Sequence, residues 1–317
     1  MSDPQPILLL NRSDVRRLLN WQELIDATRS ALIAVSVGDP VTTVASQLVV
    51  PGASLHLKAG ALEQPALMSV KANLRPDTGT ISGAILAFDL ARQRLHAVMA
   101  SGDLTAMRTA AIAAVAAQAL HGPAPATVAL LGAGPVAQRV DEALTHLGLA
   151  GEVRVWSRHL ARAVELARAH PDVDHRAHAH VNDALEGADL VVTCTPSRTP
   201  LFEADRLHPR AVVLGMGADS PGKRELPSAL LGSAVIYADV LADALRVGDS
   251  AYLDESAAAK VVELGTLLRR NERASVTAGQ HLVFDSVGSS AVDAAVVALV
   301  AARATEQGLG QAFSLDA

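Results

Sequence analysis

Aromatic side chains supply only 3% of this 317-residue chain, which has a single cysteine and no apolar run long enough to span a bilayer. Each shortage excludes something. With two Trp, two Tyr and four Phe but half its residues hydrophobic, the chain must build its cores mainly from Ala, Val and Leu. One cysteine, Cys194, rules out an internal disulfide and fits a reducing cytoplasm. It ends the apolar run DLVVTC, so it reads as a buried strand residue rather than a nucleophile. The formal charge of −6 with no basic stripe excludes a nucleic-acid partner, since phosphate binding needs clustered Lys and Arg. The opening MSDPQPILLL holds Asp3 and an apolar run of four, which is neither a signal peptide nor an anchor; later Ala/Val runs are broken by Gln118, Asp293 and Arg303, so no membrane partner is expected. The histidine-rich DHRAHAH (His175, His178, His180) matches no closed zinc spacing, so it reads as a surface strand and no metal is expected.

What the chain does have is TVALLGAGPVAQR, from Thr127 to Arg139. A short β-branched and aliphatic run stops at Gly132-Ala133-Gly134, and a helix-compatible run follows. This is the strand, tight turn and helix of a dinucleotide-binding βαβ unit. Gly132 permits the turn and Gly134 leaves room for a pyrophosphate beside free N–H groups and the positive end of the helix dipole. Pro135 suits the first helical turn, and Ala137 replaces the third glycine. A second strand-like run, EVRVW, ends in Ser157-Arg158 where an NAD site usually has a carboxylate for the ribose 2′-OH. A hydroxyl and a guanidinium there suit a 2′-phosphate, which favours NADP(H), with NAD(H) as the alternative.

The remainder divides by pattern. ILLL at 7–10 reads as a strand, Asn11 or Ser13 as a helix cap, and Trp21–Val37 as a second helix. From Val41 to Ala100, five strand-like runs are separated by Pro51-Gly52, Gln64-Pro65, Pro76-Asp77 and Ala91-Arg92, which predicts an antiparallel sheet. Thr105 is expected to cap the alanine-rich helix AMRTAAIAAVAAQAL, which stops at Gly122-Pro123. After Thr127 strands and helices alternate through DLVVTCT, AVVLGMG, AVIYADV and HLVFDSV. The fold class expected is therefore α/β: a Rossmann-type doubly wound parallel sheet plus a discontinuous α+β domain, residues 1–121 with 289–317 flanking a nucleotide-binding domain at 122–288.

Four polar positions are candidates for chemistry. Lys71, in MSVKANL, reads by itself as an edge-strand charge, the alternative being a buried ammonium facing a cleft. Arg108 falls in the first turn after Thr105, beside Thr109, where a solvated helix charge is the default. Asp219 lies just past AVVLGMG, where α/β sheets hold ligands, and is an acid or base candidate against a plain turn aspartate. Thr195 and Pro196 end another such strand, within reach of a nicotinamide ribose.

Taken together, SVKAN, LTAMRTAA, LLGAGPVAQ, VVTCTPSRTPL, GADSPGKREL and FDSVGSSAVDAA resemble the ornithine cyclodeaminase / mu-crystallin family in this order over nearly the whole chain. The resemblance implies an NAD(P)-binding domain, an antiparallel domain that pairs with its copy in a homodimer, and hydride transfer at the carbon of a C–N bond beside a carboxylate. It places Lys71 and Arg108 near that carbon and carboxylate, with Asp219 exchanging the proton or activating water, Gly132, Ala133, Gly134, Pro135, Val136, Thr109 and Val287 on the coenzyme, and Gly288 on the substrate. One departure matters. Where many members carry Pro-x-Arg this chain has Pro40-Val41-Thr42, and no arginine occurs between Arg29 and Arg75, so Lys58 is the candidate to compensate, the alternative being a substrate that is an unusual acid or lacks the carboxylate. With Ser157-Arg158, this favours an NADPH-dependent reductase of a small, cyclic imine or imino acid such as pyrroline-2-carboxylate. The alternatives are ornithine cyclodeaminase, a lyase using NAD, and an NADPH-binding protein without catalysis.

Overall fold

The computed structural model describes residues 6–38, 44–77, 81–124, 126–170, 173–277 and 279–315. The Pro40-Val41-Thr42 departure lies outside them. The chain separates into two compact units, one of residues 1–108 and 289–317, the other of residues 109–288.

The first unit opens with β1 (Ile7–Leu10), α1 (Arg12–Leu18) and α2 (Trp21–Ser36). Asn11 caps α1 by accepting the N–H groups of Ser13 and Asp14, and Asn20 caps α2 in the same way. Strands β2 (Val44–Val50), β3 (Ala53–Leu62), β4 (Leu67–Pro76), β5 (Ser82–Asp89) and β6 (Arg94–Ala100) follow as an antiparallel meander, broken at the turn residues read from sequence. The sheet is mixed rather than purely antiparallel, because β1 joins β6 in parallel. Helix α3 (Gly102–Leu120) starts three residues before Thr105, so Thr105 lies inside its first turn and donates its N–H to the Ser101 carbonyl rather than capping. The unit boundary falls within α3, after Arg108. From Ala110 to Ala117 every residue of this helix is fully buried, which is how a chain poor in aromatics closes its core.

The second unit carries β7 (Ala126–Leu131), α4 (Pro135–His146), β8 (Ala150–Trp156), α5 (Leu160–Ala169), β9 (Asp174–His178), α6 (Val181–Leu185), β10 (Leu190–Thr193), β11 (Val212–Gly215), α7 (Ser228–Ser233), β12 (Val235–Ala238), α8 (Leu241–Val247), α9 (Glu255–Ala258), β13 (Val262–Glu263), α10 (Leu264–Arg270) and β14 (Leu282–Asp285). All its strands are parallel, in the order β13-β12-β14-β11-β10-β7-β8-β9. The chain winds outward from β7 to β9, then returns to β10 and winds the other way. The strand order therefore reverses between β7 and β10, where doubly wound sheets hold ligands.

The chain then returns to the first unit with α11 (Ser290–Gln307), capped by Ser289, and β15 (Gln311–Phe313), which pairs antiparallel with β1. Helix α11 packs on α2 and across β3 and β4. A Cβ on Gly60 of β3 would stand 2.7 Å from the backbone and Cβ of Ser290, so only glycine lets the start of α11 lie this close to the sheet. That approach positions the side chain one turn further along, Asp293. Among the described residues no helix is long and apolar enough to cross a membrane, and no group of three or more His, Cys, Asp or Glu could hold a metal ion.

Candidate functional site

On β4 the usual polarity is inverted. Met68 and Leu74 are exposed, whereas Ser69, Lys71 and Asn73 on the alternate face are buried. Lys71 is only 3% exposed and β4 lies inside the sheet, so the edge-strand reading is wrong and the buried ammonium is what the fold contains. Arg108, 4% exposed, is likewise not a solvated helix charge. Both meet Asp293, a residue that sequence reasoning passed over as an interruption in an apolar run. Lys71 Nζ donates to Asp293 Oδ2 at 2.6 Å, and Arg108 Nε approaches Asp293 Oδ1 at 2.8 Å. The second contact is ionic rather than a well-aligned hydrogen bond, and Arg108 Nε and Nη1 make no hydrogen bond. Lys58 stands directly opposite Lys71 across the β3–β4 ladder.

The electrostatics follow from one buried carboxylate among three cations. Burial disfavours the Asp293 anion, but the charges of Arg108 and Lys71 and the Lys71 hydrogen bond outweigh it and hold its carboxyl below the usual range. Lys71 is in the opposite position: burial, then the charges of Arg108 and Lys58, pull its ammonium down to about 7 against the attraction of Asp293. Unused donors on a buried guanidinium and an excess of positive charge together make a receptor for an anion.

In the second unit, Gly132, Ala133, Gly134, Ser157, Arg158, Thr195 and Pro196 line one cavity of about 220 Å³ at the β7/β10 reversal, together with Trp156, His159, Arg162, Cys194, Ser197 and Leu201. Gly132 has φ +133° and a Cβ there would lie 2.6 Å from the Cys194 carbonyl oxygen, so the tight turn demands glycine. Gly134 differs. Its φ of −86° is ordinary and nothing lies within 4 Å of where its Cβ would be. No protein atom requires glycine at that position, which fits a ligand backbone approaching the start of α4, a helix whose N-cap has no side-chain partner. No carboxylate lines this cavity among the described residues; Ser157, Arg158, His159 and Arg162 form its polar end. Pro135 and Val136 open α4, and Thr109 lies buried on α3; none of the three lines the cavity.

Cys194 is half-buried just beyond β10 instead of inside the strand, and burial pushes its thiol well above the ordinary range, so it is no nucleophile. The loops around the cavity are tied by buried acids that sequence reasoning missed. Glu225 Oε1 accepts the N–H and hydroxyl of Thr195 at 2.6 and 2.7 Å, while Oε2 accepts the Thr193 hydroxyl and the Gly217 N–H, both at 2.7 Å. Asp239 accepts the hydroxyl of Ser286 and the N–H groups of Val287 and Gly288, fixing the loop that leads to α11. Asp219, in the loop after β11, is half-buried and accepts from Lys223 Nζ at 2.5 Å and from the Ser220 hydroxyl at 3.0 Å. Of the histidine patch, His175 is not a surface residue: its side chain is buried, bonded to Asp141 at 2.9 Å and to the Val173 carbonyl at 2.9 Å.

A model of the ornithine cyclodeaminase/mu-crystallin family matches residues 67–308. The chain belongs to that family. It is 32% identical over 217 residues to the ketimine reductase mu-crystallin of Mus musculus, 68% of each chain. Among solved structures it resembles the iminosuccinate reductase of Paracoccus denitrificans in complex with NAD+ (TM-score 0.88, 22% identity, 98% of this chain and 100% of that one). It also resembles the Thermococcus litoralis Delta(1)-pyrroline-2-carboxylate reductase in complex with NADH and L-proline (TM-score 0.89, 20% identity, 96% and 99%). At that identity the likeness shows the fold: an α/β chain with one parallel and one mixed sheet.

Proposed function

We propose that this protein is an NADPH-dependent reductase of a small imine bearing a carboxylate, pyrroline-2-carboxylate being the type substrate. The observation that carries the reading is the buried cation group: Arg108 Nε and Nη1 without hydrogen bonds beside Lys71, with Asp293 the single carboxylate paired to them among the described residues. Family membership supplies the reaction class, since its named relatives include ketimine and pyrroline-2-carboxylate reductases.

The reduced nicotinamide supplies a hydride to the carbon of a C=N bond. The residues of the chain do the rest. Lys71 and Arg108 clamp the substrate carboxylate by charge-assisted hydrogen bonds, and Lys58 adds positive charge. Asp219 exchanges the proton at the imine nitrogen, because hydride addition is fast only when that nitrogen is protonated and held in line. Ala133 and Gly134 offer the pyrophosphate backbone N–H groups at the positive end of α4, with Pro135 and Val136 as the first turn, while Gly132, whose N–H is donated to the Trp156 carbonyl at 2.8 Å, makes the tight turn that lets the coenzyme approach. Thr109, Thr195, Pro196 and Val287 contact the nicotinamide half of the coenzyme and Gly288 the substrate. Ser157 and Arg158 receive the 2′-phosphate, a role supported by the lack of any acid among the residues lining that cavity. The first unit also carries a row of Leu48, Leu55 and Leu74, paired side by side on β2, β3 and β4, with Leu48 57% and Leu74 44% exposed and Leu55 half-buried between them; it supports a homodimer formed through this sheet.

The test is direct. Purified protein mixed with NADPH and pyrroline-2-carboxylate should oxidise the coenzyme, read as loss of absorbance at the reduced-nicotinamide band. Absence of oxidation with formation of ammonia and proline from ornithine would establish a cyclodeaminase instead. Tight NADPH binding without turnover of any imine would leave a binding protein.

A further inference from the structure

Asp293 is the one carboxylate bound to both Lys71 and Arg108, and it is 1% exposed. A group so enclosed, with each oxygen turned to a cation, acts on a ligand only through those cations. Its own position is fixed three times over: by the Ser289 cap at the start of α11, by the N–H it donates to the Ser289 carbonyl at 3.1 Å, and by the close seating of Ser290 on Gly60. A carboxylate in the first turn is further stabilised by the helix dipole. Lys71 comes from the middle of β4 and Arg108 from α3, elements whose side chains carry long flexible stems. Without a shared anion, two like charges this deeply buried would repel and the ammonium would lose its proton.

We propose that Asp293 is the positioning residue of this site, holding Lys71 and Arg108 together as one clamp for the substrate carboxylate and favouring the Lys71 ammonium. The proposal rests on the reductase reading for the identity of the anion, but not for the coupling between the three side chains. The charged groups facing Lys71 are Asp293 from α11, Arg108 from α3 and Lys58 from β3. Only the first of them favours the ammonium.

The experiment follows the Lys71 ammonium by NMR in protein labelled with ¹³C-lysine, its signal assigned by its absence in K71M, across pH 5 to 10 in the natural chain, D293N and D293E. Removing the charge in D293N should move the Lys71 titration down by about one pH unit or more, the usual effect of an opposite charge at this distance. D293E, which keeps the charge, should bring it back toward the natural value. For pyrroline-2-carboxylate, D293N should lower kcat/KM by about 10²-fold, as expected for a clamp displaced by about an ångström, while NADPH affinity stays unchanged. A folded D293N whose Lys71 titrates as in the natural chain overturns the proposal. If D293N fails to fold, the double variant K71M/D293N replaces it. Recovery of most of the lost Tm in the double supports the coupling, and a double as unstable as the single overturns it. Should the titration move while the natural chain reduces no imine, the coupling stands and the reductase reading falls.

Discussion

Binding of a carboxylate to this protein should take up a proton. Burial and the neighbouring cations leave the Lys71 ammonium titrating at about 7, against an ordinary 10.5. A substrate carboxylate seated on Lys71 and Arg108 adds the negative charge that the cluster lacks and restores the ammonium toward its ordinary range. With those two values, binding should take up about 0.9 proton at pH 8, about 0.5 at pH 7 and about 0.1 at pH 6. By the same linkage, carboxylate affinity should fall about tenfold for each pH unit above 7. The assay is titration calorimetry with pyrrole-2-carboxylate, a planar carboxylate that accepts no hydride, on protein saturated with NADP⁺, in buffers of different ionisation enthalpy. The slope of apparent enthalpy against buffer enthalpy counts the protons. Pyrrole-2-carboxamide, which lacks the charge, should give no slope at any pH. A carboxylate that binds well at pH 8 with heats independent of buffer would refute the assignment of Lys71 to the anion site.

Arg158→Ala should weaken NADPH binding by about 10- to 100-fold, the worth of about 1.5–3 kcal/mol in a charge-assisted bond to phosphate, and leave NADH binding nearly unchanged; quenching of Trp156 fluorescence reads both, and equal losses would remove Arg158 from the phosphate. Glu225→Gln replaces one oxygen that accepts two donors with an amide that repels them, so a loss of about 1–3 kcal/mol in stability by urea unfolding should accompany weaker coenzyme binding. His175 meets only acceptors, a carbonyl at Nδ1 and a carboxylate at Nε2, so both nitrogens must carry protons; although burial opposes the charge, the bonds to Asp141 and Val173 raise its pKa. Its contribution is therefore full below the unfolded value of 6.5 and is lost as pH rises through the higher folded value. The difference in Tm between the natural chain and H175Q should be largest near pH 6 and shrink above neutrality; a constant difference would place the proton elsewhere.

Local chemistry made most of the architecture legible. Pro51-Gly52, Gln64-Pro65 and Ala91-Arg92 mark turns whatever surrounds them, and the alternation after Thr127 admits few arrangements other than a doubly wound sheet. What escaped was long-range pairing by very short strands. Nothing in ILLL says that it joins β6 in parallel, and nothing in Gln311–Phe313 says that it closes on β1. The coenzyme glycines were readable from the strand, turn and helix pattern within a dozen residues, although the oxygen that demands glycine at Gly132 belongs to Cys194, far along the chain. Lys71 was misread for a definite reason: with Met68 and Leu74 outward, β4 turns its polar side chains inward, the reverse of the pattern on which the edge reading rests.

The acids that hold the loops were illegible for a different reason. Glu225, Asp239, Asp249 and Asp285 each look like a charge that solvates a turn, yet all are buried and all accept backbone N–H groups at the C-terminal side of the parallel sheet. They are connected in series. Asp285 accepts the N–H groups of Asp249 and Ser250, Asp249 accepts those of Glu225 and Leu226, and Glu225 accepts from Thr195 and Gly217. Burial lifts Asp249 to about 6 and Asp285 to about 7, with the charge of Glu225 adding to the first shift and those of Asp249 and Asp239 to the second. A raised acid binds its proton more tightly in the folded state, so this pair favours folding at low pH and withdraws that contribution as pH climbs through 6 and 7. The two oxygens of one carboxylate accept four donors at once, as those of Glu225 do, which is more than the single oxygen of a neutral amide takes. The fold therefore keeps these costly anions because, among the described residues, the N–H groups of Thr195 and Gly217, just past the ends of two parallel strands, bond to no acceptor but Glu225.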